Sequence, residues 1–263
     1  MIDDADRALL SSGLRAAMGE HASSPGGLDA ALVELGWHDL LEESPDDAVP
    51  LVFELLGRTG AHAPVLNDVL LHAMRRPPGG VVALTPDGLA FGRPWAASED
   101  GLDPDLGLVR AKWEPLPEEA VAAGRRALGF QIVGASRTAL ELAREHALAR
   151  TQFGRPVASF QAVRHRLAET LVAVEAAEAA LVQADDPMTS LLGKALAGRA
   201  GLAAVRNCQQ VLAGIGFTAE HRFHRFVRRI LVLDDLLGSA AALAAEIGGT
   251  LMESGRAPRL IDL

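Results

Sequence analysis

The stretch that decides the fold is Arg150-Thr-Gln-Phe-Gly-Arg-Pro-Val-Ala-Ser-Phe-Gln161, answered two helical patterns later by Gln210-Val-Leu-Ala-Gly-Ile-Gly-Phe-Thr-Ala-Glu220. Taken alone, the first segment closes one helix and opens another. Basic residues suit the negative end of a helix dipole, and Gly154 and Pro156 are stop signals. Ser159 is a candidate N-cap for the next helix, with Phe160, Val163, Leu167, Leu171 and Val174 on one stripe. The second segment is a weak generic phosphate loop, because it follows a helix rather than a strand.

Outward from these segments the chain is mainly helical. Pro117 with Glu118 and Glu119 makes a favourable first turn, since proline lacks a donor that would be unpaired there. That helix runs to about Arg150. Gly124, Gly129 and Gly134 recur along it at a cost in helix propensity, which points to close approach of a neighbouring backbone. Further helices are expected from Pro187 to about Leu212 and near 219–235 and 239–253, giving a C-terminal bundle over 116–263. Residues 1–76 read as an N-terminal helical domain. A helix spans 3–19, a break falls at 23–27, and a second helix starts near Leu28 with Ala31, Leu32 and Leu35 in register. A third covers 46–58 and a fourth 65–75. Between the two helical parts, residues 77–115 change character: Val81-Val-Ala-Leu84 and the turn Thr85-Pro-Asp-Gly88 predict short strands.

The two decisive segments, in this order and at this spacing, resemble the C-terminal domain of acyl-CoA dehydrogenases. Val33-Glu-Leu-Gly-Trp37 and Phe53-Glu-Leu-Leu-Gly-Arg58 resemble fragments of that family's N-terminal helical domain. The resemblance implies an FAD site in which Arg150 pairs with the cofactor pyrophosphate, as a guanidinium suits a phosphate by charge and fork geometry. Gln152 and Phe153 accompany it, Phe153 near the adenosine end. Gln210 and Gly214 approach the adenine half across a subunit interface, with Ala213 where glycine is usual.

The same resemblance leaves gaps. Family members are substantially longer, and their central β domain carries a Thr-Glu-Pro…Gly-Ser-Asp type loop that 77–115 lacks. That segment is too short for a barrel of ~8 strands at ~5–6 residues each, so a reduced β segment is expected. The usual catalytic glutamate position falls on Leu237, and the alternative position used by one family branch falls on Gly124. Asp235 precedes Leu237 by two residues, and on a helix turning ~100° per residue it would point about 200° away.

The implied role is a subunit, with no catalytic residue of its own, that completes the FAD site of a longer acyl-CoA dehydrogenase subunit. The assembly would be a heterotetramer, with the acyl-CoA mainly on the partner and a steroid side-chain CoA ester as the analogous substrate. Two other readings stand beside it: a self-sufficient enzyme with a base displaced to Asp234 or Asp235, and a cofactor-free helical scaffold.

Composition is compatible with all three. The 263 residues are 49% hydrophobic, and the net charge of −9 disfavours nucleic-acid or anionic-membrane surfaces. The single cysteine, Cys208, excludes an internal disulfide and reads as core. No run approaches the ~20 apolar residues of a membrane span. The acidic start lacks the pattern of a secretory signal, so a cytoplasmic location is expected. His221 and His224 lie one turn apart without an evident third metal ligand, and together with Arg222, Arg225, Arg228 and Arg229 they read as a basic solvent or interface face.

Overall fold

The computed structural model describes residues 4–21, 25–95 and 101–255. Five helices come first: α1 (Asp4–Glu20), α2 (Pro25–Glu34), α3 (Trp37–Glu43), α4 (Pro45–Thr59) and α5 (Leu66–Ala73). Two three-residue strands, β1 (Leu89–Phe91) and β2 (Leu108–Arg110), follow. They pair antiparallel with Leu89 opposite Arg110. The C-terminal bundle holds α6 (Glu118–Ala149), α7 (Gln161–Val182), α8 (Pro187–Leu212), α9 (Phe223–Asp235) and α10 (Ala240–Ser254). A short hairpin of β3 (Thr151–Gln152) and β4 (Arg155–Pro156) separates α6 from α7. The fold is mainly α, as the sequence indicates, with a small β element between two helical parts.

Several local expectations need correction. The break expected at 23–27 extends only to the edge of α2, because Pro25 occupies its first turn, where a missing donor costs nothing; residues 22–24 lie outside the described residues. Helix α3 is not evident from hydrophobic periodicity. It is set off by Gly36, whose φ of 86° lies in the left-handed region that glycine enters freely. Residues 81–84 do not form a strand. The Val82 amide donates instead to Asn67 Oδ1 at 3.1 Å, which diverts the backbone from a ladder. Ser159 does not cap α7: Val157–Ser159 form a 3-10 turn and Phe160 precedes the helix without a side-chain cap. The expected apolar stripe is the buried one only in part: Val174 is in the core and Val163 and Leu167 pack against it. Thr170, Val174, Ala177 and Leu181 face inward, while Leu171 and Val172 are exposed.

Helix α8 has the best-built start. The Asp186 side chain accepts from the Thr189 amide while Thr189 Oγ1 accepts from the Asp186 amide, and Pro187 fills the first turn.

The two helical parts share one hydrophobic core, running from Leu14 and Trp37 through Phe130 to Ile230. Where α4 crosses α6, a glycine on each helix lets backbone approach backbone. A β-carbon built on Gly134 of α6 would lie 2.1 Å from Glu54 O of α4, and one on Gly57 of α4 would lie 2.1 Å from Gln131 O of α6. Of the three α6 glycines, only Gly134 serves close backbone approach; Gly129 meets the Leu181 side chain and Gly124 those of Leu70 and Leu237.

Two polar ties bind the β segment to the helices. Asp68, fully buried, accepts from Trp37 Nε1 (3.1 Å), the Gly79 amide (2.9 Å) and Arg93 (2.7 Å). Burial alone would raise this carboxyl, but those donors hold it below its ordinary value. Arg229 is buried rather than on an open basic face. Its Nε reaches Asp103 Oδ2 at 2.5 Å and its Nη1 reaches Ala61 O at 2.9 Å, and Arg225 pairs with Asp105 at 3.2 Å. Cys208 is core, and burial pushes its thiol up to about 12.

Candidate functional site

The end of α6 sets the geometry of the site. The Arg150 amide donates to His146 O at 2.8 Å and its carbonyl accepts from the Val157 amide at 2.8 Å, closing the β3–β4 hairpin. At the hairpin tip Phe153 (φ 54°) and Gly154 (φ 77°) are both left-handed, the conformation a two-residue turn demands. Across from this hairpin α8 ends at Leu212. Ala213 follows with φ 53° and ψ −135°, a region that side chains other than glycine's enter only under strain.

Between the two lies an open groove of about 790 Å³, and it is lined by Arg150, Gln152, Gln210 and Gly214 together. These are four of the five residues singled out from sequence. The fifth, Phe153, is not brought into the groove. It stands 91% exposed on the hairpin tip, edge-on to Phe160 at 6.1 Å between ring centroids. The remaining walls are apolar (Val157, Ala162, Val163, Ile215), with His146 and Arg166 as further polar members. The lining contains no carboxylate, so two guanidiniums face the groove without an opposing charge. Among the described residues Arg150 has no side-chain hydrogen bond or ion pair. His146 is held below its ordinary pKa, first by burial and then by His221 and Arg150.

Gly214 is informative in another way. A β-carbon there would meet nothing within 4 Å, and its φ does not demand glycine. The chain's own packing therefore gives no reason for glycine. What its small size leaves free is space in the groove.

The positions where the sequence resemblance places a base lie elsewhere: Leu237 at the turn between α9 and α10, and Gly124 on α6 facing it. Leu237 sits past the end of α9 with φ 56°, so the helical angle argued for Asp235 does not apply. The turn is fixed by cations. Arg125 Nε donates to Leu237 O at 3.0 Å, and the fully buried Lys194 sets its Nζ on Asp234 O (2.9 Å) and Gly238 O (3.3 Å). Burial brings the Lys194 ammonium down to about 8. Asp234 is buried and accepts from the Ala240 amide at 3.1 Å, which caps the start of α10. Asp235 is exposed and, with Asp234, borders a separate cleft between the β1–β2 hairpin and α9. The sequence signal for Lys194 is a single lysine flanked by Gly193 and Ala195 in an apolar helix.

No group of three or more metal-ligating side chains stands together among the described residues, His221 and His224 included. No described helix is long and apolar enough to cross a membrane.

Residues 115–251 match the family model described as acyl-CoA dehydrogenase, C-terminal domain, and the chain belongs to the acyl-CoA dehydrogenase family. Among proteins, FadE34 of Mycobacterium tuberculosis is 34% identical over 187 residues, covering 62% of this chain and 26% of FadE34. IpdE2 of the same organism is 32% identical over 161 residues, covering 58% of this chain and 51% of IpdE2. Both are acyl-CoA dehydrogenases by name, and the chain aligns with about half of their length or less. Among solved structures, the Tcur3481-Tcur3483 steroid ACAD superposes with a TM-score of 0.74 at 19% identity, covering 95% of this chain and 98% of that one. The ChsE4-ChsE5 complex from Mycobacterium tuberculosis gives 0.72 at 18% identity, covering 98% and 99%. These likenesses establish the fold.

Proposed function

We propose that this chain is a non-catalytic subunit of a heteromeric acyl-CoA dehydrogenase and completes the FAD site of a longer partner subunit. The observation that carries this reading is the meeting of Arg150, Gln152, Gln210 and Gly214 in one carboxylate-free groove, while Leu237 and Gly124 stand at the base positions. The groove fits the ADP half of the cofactor. Arg150 would hold the pyrophosphate, Gln210 and the space at Gly214 would receive the adenine side, and the apolar walls would exclude water. The exposed Phe153 would meet the cofactor from the hairpin tip, where a group borne by the partner can reach it. What FAD supplies when bound is the acceptor for the β hydride in α,β-dehydrogenation of an acyl-CoA. The proton acceptor and the acyl pocket would belong to the partner, since the spot beside Gly124 is filled here by Leu70 and Leu237.

Paired assembly follows the ChsE4-ChsE5 complex, and a steroid CoA ester as substrate class follows the Tcur3481-Tcur3483 steroid ACAD, both by analogy of fold.

The test is flavin content. The chain purified alone should lack the flavin absorbance bands, and co-expression with its longer partner should give a yellow complex. Arg150→Ala in that complex should cost about 1.5–3 kcal/mol of cofactor affinity, as for a hydrogen bond to a charged group, with helical content unchanged. Stoichiometric flavin on the single chain would overturn the subunit-completing role. Unaltered flavin retention after Arg150→Ala would reduce the hairpin to a helix stop.

A further inference from the structure

Strand β2 leaves one edge of its backbone unpaired. In the β1–β2 ladder Ala90 stands opposite Val109, and the flanking bonds run from the Gly92 amide to Gly107 O (3.0 Å) and from the Ala111 amide to Gly88 O (2.8 Å). Antiparallel strands alternate bonded with non-bonded pairs, so Leu108 and Arg110 turn their amides and carbonyls to the outer edge. The outer edge of β1 is covered. Leu89 O accepts from the Leu84 amide at 2.7 Å, the Leu89 amide donates to Thr85 Oγ1 at 3.0 Å, and Phe91 O accepts from Asn67 Nδ2 at 3.0 Å. The edge of β2 has no such cover: among the described residues the outward amides and carbonyls of Leu108 and Arg110 make no hydrogen bond.

That edge borders the cleft of about 730 Å³ between the β1–β2 hairpin and α9. The cleft also presents apolar surface, with Leu231 of α9 37% exposed and Leu102 56% exposed. An unpaired strand edge along an apolar cleft fits extended backbone, because another strand meets its N–H and C=O groups at the same two-residue repeat. A two-stranded ribbon is marginal by itself, so a third strand would stabilise β1–β2 as well. Charge narrows the occupant. Arg110 is tied to Asp87, whereas the exposed Asp235 carboxylate on the cleft has no ion pair or hydrogen bond among the described residues. We propose that this cleft is a strand-addition site for an extended segment of the partner subunit, apolar at alternate positions and basic opposite Asp235. The proposal rests on the reading that a partner subunit exists. It goes further in naming where that partner is gripped, by what kind of segment, and at a place separate from the cofactor groove.

The probe is a capped hexapeptide of alternating valine and threonine carrying one lysine, titrated into the full-length chain alone and followed by amide NMR. The Leu108 and Arg110 amides should shift and exchange more slowly with solvent, while the Val109 amide, already in the ladder, stays protected throughout. Arg110→Pro removes an outward N–H without touching the ladder and should weaken the peptide about tenfold or more. Arg110→Ala, which keeps the N–H and loses only the Asp87 pair, should bind as wild type does. Asp235→Lys should reverse the preference, so that the same peptide with glutamate in place of lysine binds better. No response of the Leu108 and Arg110 amides in the wild-type chain, or equal losses in Arg110→Pro and Arg110→Ala, would overturn the proposal. So would protection of those amides that rises with chain concentration in the absence of peptide, which would make a second copy the occupant. In the co-expressed complex both amides should be slow to exchange. Fast exchange there with flavin loaded would overturn the strand site and leave the subunit role standing, whereas a complex that never loads flavin counts against the subunit role and leaves the cleft to the peptide result.

Discussion

Gly124 and Leu237 share one space: a β-carbon on Gly124 would lie 2.6 Å from Leu237 Cδ1, with Leu70 Cδ2 next nearest at 2.8 Å. These are the two positions, 113 residues apart by their numbers, at which the sequence resemblance alternatively places a base. Their convergence on one point supports the alignment that assigned them. The contact is also testable. Gly124→Ala meets flexible leucine ends and should cost about 1–3 kcal/mol by overpacking. Leu237→Ala should cost about 2–4 kcal/mol through lost burial. The double variant should be more stable than the sum predicts, by urea denaturation; strict additivity would mean that the side chains do not touch.

Gly134→Ala should behave differently from Gly124→Ala. The added methyl meets Glu54 O at 2.1 Å and Arg58 N at 3.0 Å, backbone atoms that cannot rotate away. A loss larger than for Gly124→Ala, about 3 kcal/mol or more, is expected in the same denaturation series. Equal losses would show that α4 and α6 can separate freely.

His62 should make stability depend on pH. Its ring is buried edge-on against Phe91, with no hydrogen-bond partner for either nitrogen among the described residues. Burial first, and then Arg229, hold its pKa well below the ordinary value. The denatured chain takes up a proton near pH 6.5 that the folded one refuses. Stability therefore falls as pH drops below about 6.5, by at most ~1.4 kcal/mol per pH unit for this group, until the folded pKa is reached. His62→Leu should lessen the difference in thermal midpoint between pH 7.5 and 5.5; an unchanged difference would exclude His62 as its source.

Ala213→Gly should stabilise the chain. The present backbone, at φ 53° and ψ −135°, is one that glycine adopts without strain. Relief of ~1–3 kcal/mol of strain against ~0.5–1 kcal/mol of added chain entropy leaves a net gain of about 1 kcal/mol. A lower denaturation midpoint in the variant would contradict this.

Asp234 and Asp235 should separate structure from chemistry. Asp234→Asn weakens the acceptor for the Ala240 amide beside buried Lys194 and should destabilise the fold by about 1–2 kcal/mol. Asp235→Asn, at an exposed position, should leave both stability and turnover of an assembled complex within about tenfold, or ~1.4 kcal/mol of barrier. Loss of turnover by orders of magnitude in Asp235→Asn, with flavin retained, would make this chain catalytic.

Much of the architecture was legible because periodicity and punctuation agree along the C-terminal helices. Pro187 and Leu212 bound α8 as read from sequence, and the four groove residues were found from two short segments. What stayed hidden depends on partners remote in sequence. Arg229 looks like its exposed neighbours until Asp103 and Ala61 are placed beside it. On α7 the stripe holds at Val174 but fails at Leu171, which lies on an outer side that sequence hydrophobicity alone cannot tell from the inner, while Leu181 packs against Gly129 of α6 and Gly193 of α8. The gap between the last two helices is legible at 236–238, but nothing local announces a left-handed leucine in it; Arg125 and Lys194 hold that turn from other helices.

The glycine contact between α4 and α6 also makes the long helix a lever. Gly134 lies sixteen residues from each of Glu118 and Arg150, so about 24 Å of helix extends to either side at ~1.5 Å per residue. Backbone touching backbone leaves no side-chain slack at that point, and any rocking of α6 pivots there. A tilt of ~5° carries the two ends about 2 Å in opposite directions. On this geometry a tilt that shifts Arg150 at the rim of the groove would also shift, by a smaller amount, Arg125, which lies nine residues to the other side of Gly134 and holds the Leu237 turn.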